Sequence, residues 1–319
     1  MAAPIVGIDL GGTQIRAVLA TPDGTILARV AAPTAPHEGQ NAVVERIANA
    51  ARQVIRQAGG QPPRGVGVGS AGAVDPASGV VLSAPNLHWS QVPLRALLQD
   101  ELGLPVVVGN DANAAALAEH RFGAGRGTTD LIYLTISTGI GAGIISGGRL
   151  LLGQRGLAGE VGHTTINPDG PACPCGNRGC LEAVASGPAL GAAAVARMAA
   201  GEPSRILALA QGDPRQVTAQ VVGRAAAGGD ALALDLVERT GQAIGIGLVN
   251  LIHILAPQII LIGGGVAQIG APLFAAIRAT VSERAMACFR QGLRIEPAAL
   301  GSDVGVLGAI ALFLSYEHH

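Results

Sequence analysis

Residues 5–20 read Ile5-Val6-Gly7-Ile8-Asp9-Leu10-Gly11-Gly12-Thr13-Gln14-Ile15-Arg16-Ala17-Val18-Leu19-Ala20. The pattern predicts an apolar strand over Ile5 to Leu10, a turn at Gly11-Gly12-Thr13 and a second strand from Ile15 to Ala20. The glycines therefore sit between two strands, whereas a dinucleotide-binding fold places them between a strand and a helix. Outward from this hairpin, Pro22-Asp23-Gly24 is a turn and Ile26 to Val30 a third strand. Val43, Val44, Ile47, Ala51, Val54, Ile55 and Ala58 then form one helical stripe, stopped by Gly59-Gly60. Val66 to Gly69 and Pro105 to Gly109 read as buried strands. Ala112 to His120 starts a helix directly after Asn110-Asp111.

The strand-turn-strand order returns later. Leu131 to Ser137 is a strand, Thr138-Gly139-Ile140-Gly141 a turn, Ala142 to Ile145 a strand, and Leu150 to Leu152 follows Ser146-Gly147-Gly148. At an offset of 125, Thr13 aligns with Thr138, Ile15 with Ile140 and Ala17 with Ala142. The repeated order predicts an internally duplicated α/β fold of two similar lobes. The remainder is mostly helical, including Gly241 to Leu255. A strand from Gln258 to Ile262 runs into Gly263-Gly264-Gly265 and a further helix, and an apolar helix over Asp303 to Tyr316 returns to the first lobe. The expected domains are a small α/β lobe over 1–112, joined by the helix within 303–319, and a large α/β lobe over 113–302.

Composition narrows the chemistry. The chain has 319 residues with a net charge of −1, 13% charged residues, 49% hydrophobic residues and 47 glycines. Such a chain buries large cores and is not disordered. Its 21 bases are all Arg, which excludes a P-loop lysine, a protein-kinase strand lysine and a Schiff-base lysine. Aromatics at 2% leave no stacking platform for single-stranded nucleic acid, and the near-neutral charge argues against a nucleic-acid partner. No signal peptide is visible at the start. The long uncharged run from Thr240 to Ile277 is interrupted by glycines, Asn250, His253 and Pro257, so a buried helix and strand explain it better than a membrane span. Four cysteines in a chain this long are not a disulfide framework. The expected location is the cytoplasm. Glu317-His318-His319 reads as a possible tag remnant.

Several short stretches can carry chemistry. In Asp9-Leu10-Gly11-Gly12-Thr13 the glycines let backbone N–H groups approach a phosphate, Thr13 adds a hydroxyl, and Asp9 can hold Mg²⁺ directly or through water. An ordinary Gly-Gly hairpin is the alternative. Thr138-Gly139-Ile140-Gly141 repeats the device, and with backbone dipoles, hydroxyls and Mg²⁺ a lysine is not needed to grip a polyphosphate. Gly263-Gly264-Gly265 can seat the flat face of an adenosine, although a tight strand-to-helix turn is the simpler reading. Asp111, at a strand end, can accept the proton of a substrate hydroxyl attacking phosphorus. Helix capping is locally the stronger reading there.

Cys173-Pro174-Cys175-Gly176-Asn177-Arg178-Gly179-Cys180 gathers three of the four cysteines, with His163 ten residues upstream. Three thiolates and an imidazole suit a closed Cys₃His structural zinc site; a redox thiol pair is the alternative. Cys288 reads as a packed small hydrophobe in a helical segment. Glu160 and Glu182 flank the cluster and, with His163 oriented by zinc, suit a polyhydroxylated ligand, or else support the metal site.

Together these stretches resemble the ROK family of sugar kinases and repressors, within the actin-like ATPase superfamily. The resemblance rests on Asp9 to Thr13, Val108-Gly109-Asn110-Asp111-Ala112-Asn113, Ser137 to Gly141, Gly159-Glu160-Val161-Gly162-His163, Cys173 to Glu182 and Ile262 to Gly265. It implies a ribonuclease H-like duplicated fold with ATP in an interlobe cleft and a hexose beside it. It further implies Asp111 as the base that activates the 6-hydroxyl, and Asn110, Glu160, His163 and Glu182 as sugar ligands. Gly69 to Asp75 and Ala84-Pro85-Asn86-Leu87 match the family's sugar loops, giving Gly72 and Asn86. Ala71-Gly72 stands where the family usually has Pro-Gly. Gly11, Gly12, Gly139, Gly141, Gly264 and Gly265 map to nucleotide contacts. Family repressors carry a DNA-binding winged helix ahead of the Asp-Leu-Gly-Gly motif, which here starts at residue nine. The expectation is an ATP- and Mg²⁺-dependent hexose kinase with structural Zn²⁺, acting on glucose, as a homodimer. Kinases for N-acetylmannosamine, N-acetylglucosamine or fructose, and a non-catalytic sugar sensor, are the alternatives.

Overall fold

The computed structural model describes residues 3–59 and 61–316. Gly60 and Glu317-His318-His319 lie outside the described residues. Contacts divide the chain into two compact units, one made of residues 1–129, 143–159 and 298–319, the other of 130–142 and 160–297.

The first unit is built on a five-stranded sheet of order β3-β2-β1-β4-β8. Its strands are β1 (Ile5–Leu10), β2 (Gln14–Ala20), β3 (Ile26–Pro33), β4 (Val66–Ser70) and β8 (Val106–Asn110). A small antiparallel sheet of β5 (Ala73–Asp75), β6 (Val80–Ala84) and β7 (Trp89–Val92) inserts between β4 and β8. The helices α1 (Gln40–Gln57), α2 (Leu94–Leu102) and α3 (Asp111–Arg121) complete this part of the chain.

Burial follows sheet position. Every residue of the interior strand β4 is buried, whereas the edge strand β3 alternates along its length. On one side, the apolar stripe of α1 packs into a core with Ile8, Ile15, Val68 and Val108. The other side is covered by α11 (Val304–Tyr316), which is apolar nearly all round and buried from Val306 to Leu314. Gly67 makes that approach possible: a Cβ there would lie 1.9 Å from the Ala309 carbonyl oxygen.

The second sheet has the order β11-β10-β9-β12-β13. Its strands are β9 (Leu131–Ile136), β10 (Ile140–Ser146), β11 (Arg149–Leu150), β12 (Ile259–Gly263) and β13 (Arg294–Pro297). Third, second and first strands followed by two parallel neighbours is the order of the first sheet, so the duplication read from the hairpins extends to all five strands. The second unit's helices are α4 (Leu181–Ala185), α5 (Gly187–Ala199), α6 (Ile206–Leu209), α7 (Ala219–Ala227), α8 (Ala231–Leu255), α9 (Ala271–Arg284) and α10 (Ala287–Arg290).

The uncharged run from Thr240 resolves into the end of α8, then β12, then α9; among the described residues no helix is long and apolar enough to cross a membrane. Three details differ from the sequence reading. The unit boundaries do not fall at 112 and 302, because α3 packs against α11 and so groups with the first unit. Gly141 lies within β10 rather than in the turn before it. Cys288 is exposed, because α10 is a single short turn with no buried residue.

Candidate active site

Parallel pairing sets the first group of residues. Asp9 pairs with Gly69, which pairs with Gly109, and Leu10 with Ser70, which pairs with Asn110. The carboxyl ends of β1, β4 and β8 are therefore level, the usual ligand position of an open α/β sheet.

Asn110 is the N-cap of α3: its Oδ1 accepts the Asn113 N–H at 3.0 Å. Its Nδ2 donates to the Gly72 carbonyl at 3.0 Å and to Asp111 Oδ1 at 3.1 Å. Capping is thus performed by Asn110, and Asp111 is released from that role. Asp111 Oδ1 also accepts the Ala112 N–H at 2.8 Å. Burial, and then the charge of Asp9, push the Asp111 carboxyl up to about 6. A carboxylate with a raised pKa is the better proton acceptor.

Gly72 follows β4 with φ at +90°, and a Cβ there would lie 2.3 Å from the Ser83 carbonyl oxygen, so only glycine fits. Asn86 is exposed on a short helical turn, with its Cβ 2.9 Å from where a Gly12 Cβ would stand. The sugar-loop candidate Asn86 and the phosphate-loop candidate Gly12 are therefore neighbours.

Between β1 and β2, the Gly11 N–H donates to the Gln14 carbonyl at 3.1 Å, and the Thr34 hydroxyl holds the Gly11 carbonyl at 2.7 Å. Thr13 is exposed at the tip. Asp9 Oδ2 accepts Arg16 Nε at 3.0 Å. Burial raises the Asp9 pKa, against the opposing pull of Arg16. One carboxylate plus phosphate and water oxygens is a common way to hold Mg²⁺, and a carboxylate at this strand end is chemically suited to take part in it.

In the second unit the Ser137 N–H donates to the Gly139 carbonyl at 2.9 Å, closing the β9–β10 turn with Thr138 exposed. The N–H groups of Gly12, Thr138 and Gly139 find no protein acceptor among the described residues. Gly264, at φ +87°, would place a Cβ 2.4 Å from the Ile136 carbonyl oxygen, and the next residues close on β9 through Val266 N–H to Ile136 O at 3.0 Å. Gly264 and Gly265 thus lie beside the Thr138 turn.

The metal candidates converge as their spacing suggests. One donor atom each from His163, Cys173, Cys175 and Cys180 lies within 4.8 Å of the others. Cys173 Sγ is 3.7 Å from His163 Nδ1, and Cys175 Sγ is 3.7 Å from Cys180 Sγ. A tetrahedron with bonds of about 2.3 Å has edges of about 3.8 Å, so the donors fit zinc. Burial pushes the Cys180 thiol up to about 12, and the Asn177 backbone N–H holds Cys175 below its ordinary value. With Nδ1 turned to the thiols, His163 Nε2 points elsewhere and lies 4.0 Å from Glu160 Oε2. Glu182, on α4 directly after Cys180, sends Oε2 to the Ile140 N–H at 2.8 Å.

A cavity of about 420 Å³ in this unit is lined by Ser137, Thr138 and Gly265, and also by Pro188, Arg215 and Val217. The last three were not singled out from the sequence. Pro188 stands in the first turn of α5, while Arg215 and Val217 lie together in and just after the short turn that precedes α7, and none belongs to a motif.

A sequence model of the ROK family matches residues 5–316. The chain belongs to the ROK family. Among its relatives, a glucokinase of Thermotoga maritima is 38% identical over 309 residues, 97% of this chain and 96% of that one. A xylose repressor of Caldicellulosiruptor bescii is 35% identical over 98% of this chain and 78% of its own. Among ROK structures, the Streptomyces griseus glucokinase in complex with glucose and AMPPNP superposes with a TM-score of 0.85 at 36% identity, covering 97% of this chain and 99% of that one. The ROK assignment agrees with the duplicated sheets, and the fold is that of the actin-like ATPases.

Proposed function

We propose that this ROK protein is an ATP-dependent hexose kinase that phosphorylates the 6-hydroxyl of glucose. The observation that carries the reading is Asp111: a carboxylate at a sheet's ligand-facing end, raised to about 6, with its capping duty taken by Asn110. The glucokinase relatives and the glucose-bound ROK structure support the choice of sugar.

In this reading Asp111 takes the proton of the sugar 6-hydroxyl as that oxygen bonds to the γ-phosphorus. The bond to the β-phosphate oxygen breaks, and ADP leaves. Asn110 fixes the Asp111 carboxyl and the Gly72 carbonyl at once, so base and sugar loop are held in one geometry. Gly72, Asn86, Asn110, Glu160, His163 and Glu182 bind the sugar. Gly11, Gly12 and Thr13, with Thr138 and Gly139, offer backbone and hydroxyl donors to phosphate oxygens, and Gly141, Gly264 and Gly265 back the nucleotide. Mg²⁺, when bound near Asp9, supplies charge neutralisation for the phosphates. Cys173, Cys175, Cys180 and His163 would hold Zn²⁺ as a structural ion, which would fix the orientation of the imidazole. A cytoplasmic homodimer completes the reading, and light scattering of the purified protein decides the stoichiometry.

The test is ADP release with glucose, fructose, N-acetylglucosamine and N-acetylmannosamine as acceptors. Glucose-dependent turnover that collapses in Asp111→Asn is the expected result. The xylose repressor relative, matched over 98% of this chain, favours one second reading, a sugar-responsive protein without turnover. Sugar binding with no ADP release from any acceptor would establish that instead.

A further inference from the structure

The second-unit cavity beside Thr138 and Gly265 has a wall that no motif accounts for. Its apolar part comes from Pro188, Val217 and Val266, and no aromatic ring lines it. A flat heterocycle entering such a slot has aliphatic edges to touch but no ring to stack on. The planar cation on its rim is Arg215. We propose that the Arg215 guanidinium is the stacking plate for the purine base of ATP, with Asp213 as the positioning residue that fixes its plane. The proposal rests on the nucleotide-dependent reading above and extends it to a base-binding residue of this chain.

Three contacts fix the plate. Arg215 Nε donates to Asp213 Oδ1 and Nη2 to Asp213 Oδ2, each at 3.0 Å, a fork-on-fork pair. The Arg215 backbone N–H donates to the same Oδ1 at 2.9 Å. Asp213 is in turn the N-cap of the short turn Pro214–Gln216, where Pro214 stiffens the backbone. The Arg215 side chain is nevertheless 90% exposed, so it remains open to a ligand. An arginine so exposed ordinarily samples many rotamers; here two hydrogen bonds to one carboxylate favour one orientation of the guanidinium.

The same pairing argues against phosphate as the partner. The Asp213 carboxylate already meets the charge of Arg215, so the pair presents a neutralised planar group, suited to a π-face more than to an anion. Phosphate donors are supplied elsewhere, by the unpaired N–H groups of Thr138 and Gly139. The Gly265 surface is open, since a Cβ there would meet only Ser137 Oγ, at 3.9 Å. The cavity can therefore receive a flat group without a side chain in the way.

Calorimetric titration of ATP without sugar tests the proposal, alongside steady-state kinetics. Guanidinium stacking at an exposed site corresponds to roughly twofold to fivefold in affinity. Arg215→Ala should weaken ATP by about that factor and raise the ATP KM, with kcat and the glucose KM within about twofold. Arg215→Lys keeps the charge but loses the plane, and should behave like Arg215→Ala. Arg215→Tyr keeps a plane without charge and should recover most of the loss. Asp213→Asn should shift ATP binding in the same direction by less, without lowering the melting temperature. Inorganic tripolyphosphate should bind all variants alike.

Recovery by lysine but not tyrosine, or loss of tripolyphosphate binding in step with ATP, would overturn stacking in favour of a charge contact. Unchanged ATP binding in every variant would reduce the pair to a surface salt bridge. A wild-type protein that binds ATP but phosphorylates no sugar removes the kinase reading, while the variant comparison still decides the role of Arg215.

Discussion

Glu182 Oε2 accepts the Ile140 N–H at 2.8 Å. Two residues after Cys180, the chain thus holds the base of the turn that presents Thr138. One carboxylate oxygen is committed to the hairpin, and in the proposed sugar-binding role the other would meet a hydroxyl. Glu182→Ala should therefore raise the KM for ATP as well as for glucose. A residue acting on sugar alone would move only the glucose value, and bisubstrate kinetics distinguishes the two.

The metal prediction concerns both stability and substrate. Elemental analysis of the purified protein should find about one zinc per chain. Cys175→Ser should lower the melting temperature and weaken glucose binding together, because His163 loses the anchor that orients it. Metal-free protein with full activity and an unchanged melting curve would refute the site.

Asp111→Asn nearly preserves shape and removes basicity, so turnover should fall by roughly 10²-fold or more with glucose still bound. The raised carboxyl also fixes a pH dependence. Asp111 must be ionised to accept the proton, so kcat/KM should fall as pH drops through about 6, where the group takes up a proton. Loss of this acidic limb is expected in any residual activity of Asp111→Asn. A wild-type profile flat down to pH 4 would contradict the assignment.

Sugar choice should depend on Glu160, whose Oε2 lies 4.0 Å from His163 Nε2. A site built of paired polar groups rejects an analogue that leaves them unmatched. Nothing in the segment Ala84-Pro85-Asn86-Leu87-His88-Trp89 announces room for a 2-acetamido group, so glucose should exceed N-acetylglucosamine and N-acetylmannosamine in kcat/KM. Glu160→Gln should weaken glucose more than ATP. A higher kcat/KM for either N-acetyl sugar would reject this specificity.

Gly72→Ala should cost at least about 2 kcal/mol, from the left-handed backbone and the clash with Ser83 together. Thermal unfolding measures that loss. Glucose affinity should fall too, because Asn110 is bonded to the Gly72 carbonyl. The single tryptophan, Trp89, lies close in sequence to Asn86 on the neighbouring loop. Its fluorescence offers a direct titration of sugar in both forms.

What could be read in advance depended on how local the determinant was. The Asp9-to-Ala20 hairpin and its repeat are written in consecutive residues, so strand, turn and duplication were legible. The Cys173–Cys180 run was legible because metal ligation demands a spacing. Asn110 and Asp111 were legible as a pair, but which one caps the helix depends on where each side chain turns. The sheet β5-β6-β7 passed unnoticed because its strands are three to five residues long, too short to display a period. The cavity wall at Pro188 and Arg215 was invisible for a different reason. It forms only where the first turn of α5 meets the turn that precedes α7, and no single window of sequence contains it.

The packing of α11 on the first sheet has a bearing on biosynthesis. The strand β1 ends at Leu10, and α11, which covers it, starts at Val304. One face of the amino-terminal sheet thus stays uncovered until almost 300 further residues have left the ribosome. At about 5–20 residues per second that is an exposure of roughly 15–60 s. Meanwhile residues 160–297 emerge as one uninterrupted stretch and can fold ahead of the sheet that precedes them. Nascent chains of this protein should therefore depend on chaperones through their amino-terminal third, and a premature stop before residue 304 should leave that third open to proteolysis even when the second unit is intact.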